Sequence, residues 1–165
     1  MKRESIGGAV LFLFIVLYII IFSPSADQLK GKVVKVQDGD TVTVLVGSTQ
    51  HKIRLQGIDC PEKAQPFGSA ATNFASAKVF GKTVTVEWDE KDRYGRILGD
   101  VIYDGNQSLS RELLKAGLAW HYKQYSDDPV LAGLEFMARS AKKGLWADKN
   151  PIPPWEWRKL KRKKP

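Results

Sequence analysis

Apolar and polar positions change their period early in the chain. Residues 5–26 carry no charge, and Ile6 to Phe22 is apolar throughout, with Lys2 and Arg3 ahead of it. A terminal, aromatic and β-branched run with no polar face predicts a hydrophobic helix, either a signal anchor or a signal peptide over residues 1–26. Its length lies between a signal-peptide core and a full span. Cleavage after Ser25 would have small Ser23 and Ser25 in the right places, whereas cleavage after Ala26 would put Pro24 at a poor position; an uncleaved anchor is preferred over a cleaved signal. Either route predicts an extracytoplasmic body, membrane-anchored or secreted.

After Leu29 the period becomes two. Alternation predicts strands over Lys30–Val36, Thr41–Val46 and Lys52–Gln56, joined by turns at Asp38-Gly39-Asp40 and Gly47-Ser48. Pro66–Phe80 has an apolar helical stripe. Thr83–Trp88 and Ile97–Tyr103 read as strands, separated by the charged turn Asp89–Gly95. Ser110–Ala116, stopped by Gly117, and Val130–Lys143, stopped by Gly144, read as helices. The fold class is mainly β with α: a five-stranded OB-fold β-barrel with three helices, preceded by one N-terminal hydrophobic helix. The organisation is 1–26 as anchor or signal, 27–150 as the folded domain, and 151–165 as a Pro/Trp segment and basic tail. Ile152-Pro-Pro-Trp-Glu-Trp157 cannot continue a helix and is expected to pack back on the body.

Charge changes this picture less than its total implies. The chain is formally +8, but residues 27–157 hold 18 Lys/Arg against 17 Asp/Glu. Most of the excess is the run Arg158, Lys159, Lys161, Arg162, Lys163, Lys164, so basicity is a weak argument for nucleic-acid binding by the body. A tail of this kind is ordinarily solvated; holding nucleic acid or an anionic lipid surface is the alternative. The single cysteine, Cys60, excludes an intramolecular disulfide. Two histidines 70 residues apart, His51 and His121, argue against a zinc site of ordinary spacing.

Three polar stretches fall at strand ends or turns: Asp38-Gly-Asp-Thr41, Arg54-Leu-Gln-Gly-Ile-Asp-Cys-Pro-Glu62 and Asp92-Arg-Tyr-Gly-Arg96. Phosphodiester hydrolysis needs an oriented water and compensation for charge on phosphorus oxygens and leaving group. A hard divalent cation on oxygen ligands, guanidinium forks and a carboxylate base meet those needs. Asp40, Asp59 and Glu62 supply carboxylates; Arg54 and Arg96 supply forks. A site without His or Cys side-chain ligands favours Ca²⁺ or Mg²⁺ over zinc.

These motifs, in this order and spacing, resemble the staphylococcal nuclease (thermonuclease) family over about Leu29 to Trp146. The resemblance implies Ca²⁺ held by the Asp40 and Asp59 carboxylates and the Cys60 backbone carbonyl. It implies Glu62 as general base and Arg54 and Arg96 on the scissile phosphate. Arg93 and Tyr94 become substrate contacts, and Tyr122 and Tyr125 candidates for stacking on a base, their register open. The implied activity is a Ca²⁺-dependent endonuclease of low sequence preference, acting on DNA and RNA to leave 3′-phosphates. Single strands are favoured, because bases must unstack to reach aromatic surfaces, and a monomer is expected. Cys60 stands where the best-known member has threonine, and the loop after Glu62 is shorter than its counterpart. The competing reading is an OB module, held at the membrane, that binds nucleic acid or protein without cutting. Retention of all five charged side chains separates the two.

Overall fold

The computed structural model describes residues 27–162; the predicted N-terminal anchor lies outside them. The strands are β1 (Asp27–Asp38), β2 (Thr41–Val46), β3 (Thr49–Leu55), β4 (Ile58–Asp59), β5 (Thr83–Lys91), β6 (Ile97–Tyr103), β7 (Gln107–Ser108) and β8 (Trp120–His121). The helices are α1 (Gly68–Val79), α2 (Leu109–Lys115), α3 (Pro129–Ser140) and α4 (Pro154–Arg162), with a 3₁₀ turn at Gly144–Ala147. Among the described residues no helix is long and apolar enough to cross a membrane.

Five long strands close into a barrel. Neighbours run β3-β2-β1-β5-β6, and a parallel pairing of β3 with β6 (Ile53 opposite Ile97, Leu55 opposite Gly99) joins the ends. Closure removes the exposed edges of an open sheet. β1 serves two partners: Asp27–Lys32 pairs with β5 and Lys32–Asp38 with β2. The strand must bend where it passes from one to the other. Gly31 sits there, and a Cβ on it would collide with the Leu45 carbonyl and the Val44 and Val46 side chains.

Period two has the expected consequence. Val33, Val42, Val44, Ile53, Leu55, Val84, Val86, Ile97 and Val101 are buried in the barrel. α1 closes one side with Ala71, Ala75 and Val79, and α2 adds Leu109, Leu113 and Leu114. Ser108 caps α2, its side chain accepting from the Arg111 N–H; Asp128 caps α3.

The predicted strands and the three predicted helices recur with shifted ends; β2 and β6 have the bounds read from the sequence. The short strands β4, β7 and β8 were not predicted, and two helical features differ. α3 ends at Ser140, not Lys143. The C-terminal Pro/Trp segment forms a fourth helix: proline at a first helical position lacks an N–H that has no acceptor there anyway, and its fixed φ is already helical. Glu156 in the first turn and Lys159, Lys161 and Arg162 in the last complement the helix dipole.

Leu113 is fully buried between α2 and the barrel. Leu113→Ala is expected to cost ~2–5 kcal/mol, read as a lowered urea midpoint at unchanged m-value. A loss near zero would mean that α2 is not part of the cooperative core.

Candidate active site

The three polar stretches occupy neighbouring strand ends. Asp40 follows the β1–β2 turn, and its carbonyl accepts from the Leu55 N–H at 2.8 Å, locking the turn onto the end of β3. The Asp38 carboxylate accepts from the Asp40 N–H at 3.2 Å. β4 begins three residues past β3 and pairs with β8, Asp59 lying opposite Trp120. The Cys60 N–H donates to Asp40 Oδ2 at 2.6 Å, tying the two acidic loops together.

Arg54 lies under this junction. Its Nη1 donates to the carbonyls of Leu55 (2.5 Å) and Ile58 (2.9 Å), fixing the β3–β4 turn. Its Nε is 3.2 Å from Asp40 Oδ1, and its Nη2 donates to Asp59 Oδ1 at 2.9 Å. A guanidinium has five N–H donors; three donate to protein acceptors here and Nε makes an ion-pair contact with Asp40, leaving one N–H on Nη2. Arg54 was expected to face phosphate; its side chain also ties the Asp40 and Asp59 carboxylates to the β3–β4 turn.

Asp59 is 1 % exposed. Burial pushes its pKa up, and the Asp40 charge adds to this, while Arg158 and Arg54 pull it down; the balance stays above the usual carboxylate range. Burial and Asp40 likewise raise Asp38 to about 6. Burial alone lowers Arg54, but Asp40 and Asp59 outweigh it and hold the guanidinium firmly protonated. Burial and Asp40 push the Cys60 thiol well above its ordinary value, so this cysteine is no nucleophile.

Arg158 of α4 enters the same cluster. Its Nη2 donates to Asp59 Oδ2 at 2.8 Å and its Nη1 to Glu62 Oε1 at 2.9 Å, with a longer contact of 3.3 Å to Asp59 Oδ1. Glu62 sits in the loop between β4 and α1, packed on Gly68: a Cβ at Gly68 would strike the Glu62 carbonyl.

Arg96 stands apart. Its Nε and Nη2 both lie 2.7 Å from Asp92 Oδ2, while Asp92 Oδ1 accepts from the Tyr94 and Arg96 N–H groups. Among the described residues, the side-chain bonds of Arg96 stay within its own turn and do not reach Asp40, Asp59 or Glu62. Tyr94 is 71 % exposed, with the Arg93 and Arg96 guanidiniums 5.1 and 5.8 Å from its ring centre. Both rest on a surface turn. The β4–β8 pairing places Tyr122 beside the β3–β4 turn, its N–H donating to the Gly57 carbonyl. Tyr122 stacks on Trp155 of α4 (5.2 Å, interplanar 2°) and meets Tyr125 edge-on at 4.8 Å. His121 is buried against Ser126, and Trp120 packs on Trp146, as structural residues do.

Four residues of this neighbourhood had no role in the sequence reading. Arg158 was counted into a solvated tail, and Trp155 into a packing segment. Asp92 was part of a motif but had no task, and Gln65 was passed over. An arginine interleaved with tryptophans was the available signal for Arg158.

The donor set fits a hard divalent cation. Asp40 and Asp59 converge on one guanidinium, their neighbours are oxygens and backbone, and no imidazole or thiolate side chain competes. Burial, with the Asp40 charge beside it, keeps the Asp59 pKa raised despite two guanidiniums. As the side chains stand, no three His, Cys, Asp or Glu groups close on one point among the described residues. A cation reaching Asp59 must displace part of the guanidinium contact.

The raised carboxylates fix a pH response. A carboxyl whose folded pKa lies above its unfolded value adds stability below the unfolded pKa and loses it as pH rises through the folded one. In chelator, stability should therefore fall between about pH 4 and about pH 7. Asp38→Asn should shrink that fall, measured as melting temperature against pH; an unaltered slope would show that Asp38 does not contribute to it.

With this geometry in place, comparison with known proteins is specific. A family profile described as staphylococcal nuclease homologue matches residues 52–148. The chain is 44 % identical over 147 residues to an uncharacterised endonuclease of Escherichia coli, covering 89 % of this chain and 96 % of that one. An uncharacterised endonuclease of Haemophilus influenzae is 40 % identical over 146 residues, 88 % of this chain and 82 % of its own. A probable staphylococcal-like nuclease of rice is 46 % identical over 113 residues, 68 % of this chain but 34 % of its own. The chain belongs to the staphylococcal nuclease family.

Proposed function

We propose that the protein is a Ca²⁺-dependent nuclease hydrolysing phosphodiester bonds of DNA and RNA with little sequence preference, leaving 3′-phosphate ends. The observation that carries this reading is the convergence of Asp40 and Asp59 on the Arg54 guanidinium, one contact away from Glu62 through Arg158. Relatives named as endonucleases support the reaction class.

Asp40 and Asp59 would hold the cation, with the Cys60 carbonyl as a further oxygen. Bound there, Ca²⁺ supplies Lewis-acid stabilisation of charge growing on the phosphoryl oxygens. Arg54 keeps the two carboxylates in register and offers its remaining Nη2 N–H to a phosphate oxygen. Glu62 would take a proton from the attacking water; its half-exposed position beside the acids supports that role. Arg96 can turn to the phosphate by exchanging Asp92 for a stronger anion, a charge-assisted and bidentate exchange. Arg93 and Tyr94 on one side, and Tyr122 and Tyr125 on the other, offer cation and stacking surfaces along a single strand. The apolar segment at residues 6–22 supports an extracytoplasmic setting, where Ca²⁺ at ~10⁻⁴–10⁻³ M suits weak sites. The protein is taken to act as a monomer.

Incubation with single-stranded DNA or RNA should give 3′-phosphate fragments in Ca²⁺ and none in chelator. No cutting in millimolar Ca²⁺ would falsify the enzyme reading and favour the binding module. Glu62→Gln and Arg96→Ala are each expected to lower kcat by ~10²–10³; near-parental rates in both would place the chemistry elsewhere.

A further inference from the structure

The family profile ends at residue 148, yet the segment beyond it touches the centre of the site. Among the described residues the Glu62 carboxylate has one hydrogen-bonding partner, Arg158. The same guanidinium spans both oxygens of Asp59. A second tie runs through Gln65: the Glu62 N–H donates to its Oε1 at 3.1 Å, and its Nε2 donates to the Ile152 carbonyl at 2.6 Å. The loop bearing Glu62 is thus clamped to the C-terminal segment at side chain and backbone alike.

α4 is anchored firmly enough to act as a clamp. Pro154 is buried, and Trp155 stacks on Tyr122 and meets Trp120 edge-on at 5.6 Å. Glu62, by contrast, has a side chain 42 % exposed. A half-exposed glutamate with no partner samples several rotamers, whereas a guanidinium is a rigid planar fork. Resting on the hydrolytic reading above, we propose that Arg158 is a positioning residue of the nuclease site. Delivered by α4, it orients the Glu62 carboxylate relative to Asp59, so that residues 152–158 form part of the active site.

The test is steady-state cleavage of single-stranded DNA in Ca²⁺ by the full chain and by its Arg158→Ala and Arg158→Lys variants, with and without added guanidinium chloride. Arg158→Ala should lower kcat ~10–100-fold with KM little changed and circular dichroism unaltered. Lysine should recover part of the loss, since it keeps the charge without the fork. Millimolar guanidinium should raise the alanine variant and leave the parent alone. In chelator, the guanidinium nitrogen resonances of Arg158 should move on Glu62→Ala. If the alanine variant does not fold, the lysine variant carries the same kcat-against-KM comparison. A parent that does not cut removes the hydrolytic reading and this proposal with it. A cutting parent overturns the proposal alone if Arg158→Ala is as fast or faster, the latter being the behaviour of a brake on cation entry. A loss that neither lysine nor guanidinium touches, or unmoved Arg158 resonances, overturns it equally.

Discussion

Arg54 sits with little solvent access between Asp40 and Asp59, its remaining donors on the carbonyls of Leu55 and Ile58. This contact decides where β3 ends, how the chain turns into β4, and how closely two acidic loops approach. Its energetics are unlike those of the surface pair Lys82–Asp104. An exposed pair contributes ~0–1 kcal/mol. Removing one partner of a buried pair leaves an uncompensated charge and costs ~3–5 kcal/mol. Folding and site assembly therefore share one side chain at the barrel's end.

The barrel makes that arrangement possible. Parallel closure of β3 on β6 sets Arg54 opposite Leu98, so the arginine is carried by a strand with neighbours on both sides. Rigid strands hold the Arg54 end while short loops bring Asp40 and Asp59 to it. The cost is burial of acidic groups, which with the neighbouring Asp40 charge raises the pKa values of Asp38 and Asp59. Perturbed pKa values of this kind cluster at functional sites.

The C-terminal helix adds a second layer over the first. Arg158 and Trp155 reach the acids and Tyr122 from outside the span that matches the family profile.

Much of this was legible in the sequence, for physical reasons. Period two between turn signals gave β2 and β6 their bounds; in β6 alternate residues are buried, while the first four residues of β2 are buried on both faces. Asp40, Arg54, Asp59 and Glu62 stood out because polar residues clustered at strand ends belong to turns, and turns carry chemistry. What Arg54 does with its donors was not legible, since that depends on which carbonyls a loop turns inward. Nor was the pairing of Asp92 with Arg96, which leaves that arginine engaged within its own turn. The sequence by itself determined the barrel and the set of charged groups, through local period and turn chemistry. Only the tertiary structure decided that Arg158 belongs with them. It lies 96 residues from Glu62 and 99 from Asp59, and a contact of that range leaves no local period. In the sequence it has the appearance of one more charge in a basic tail.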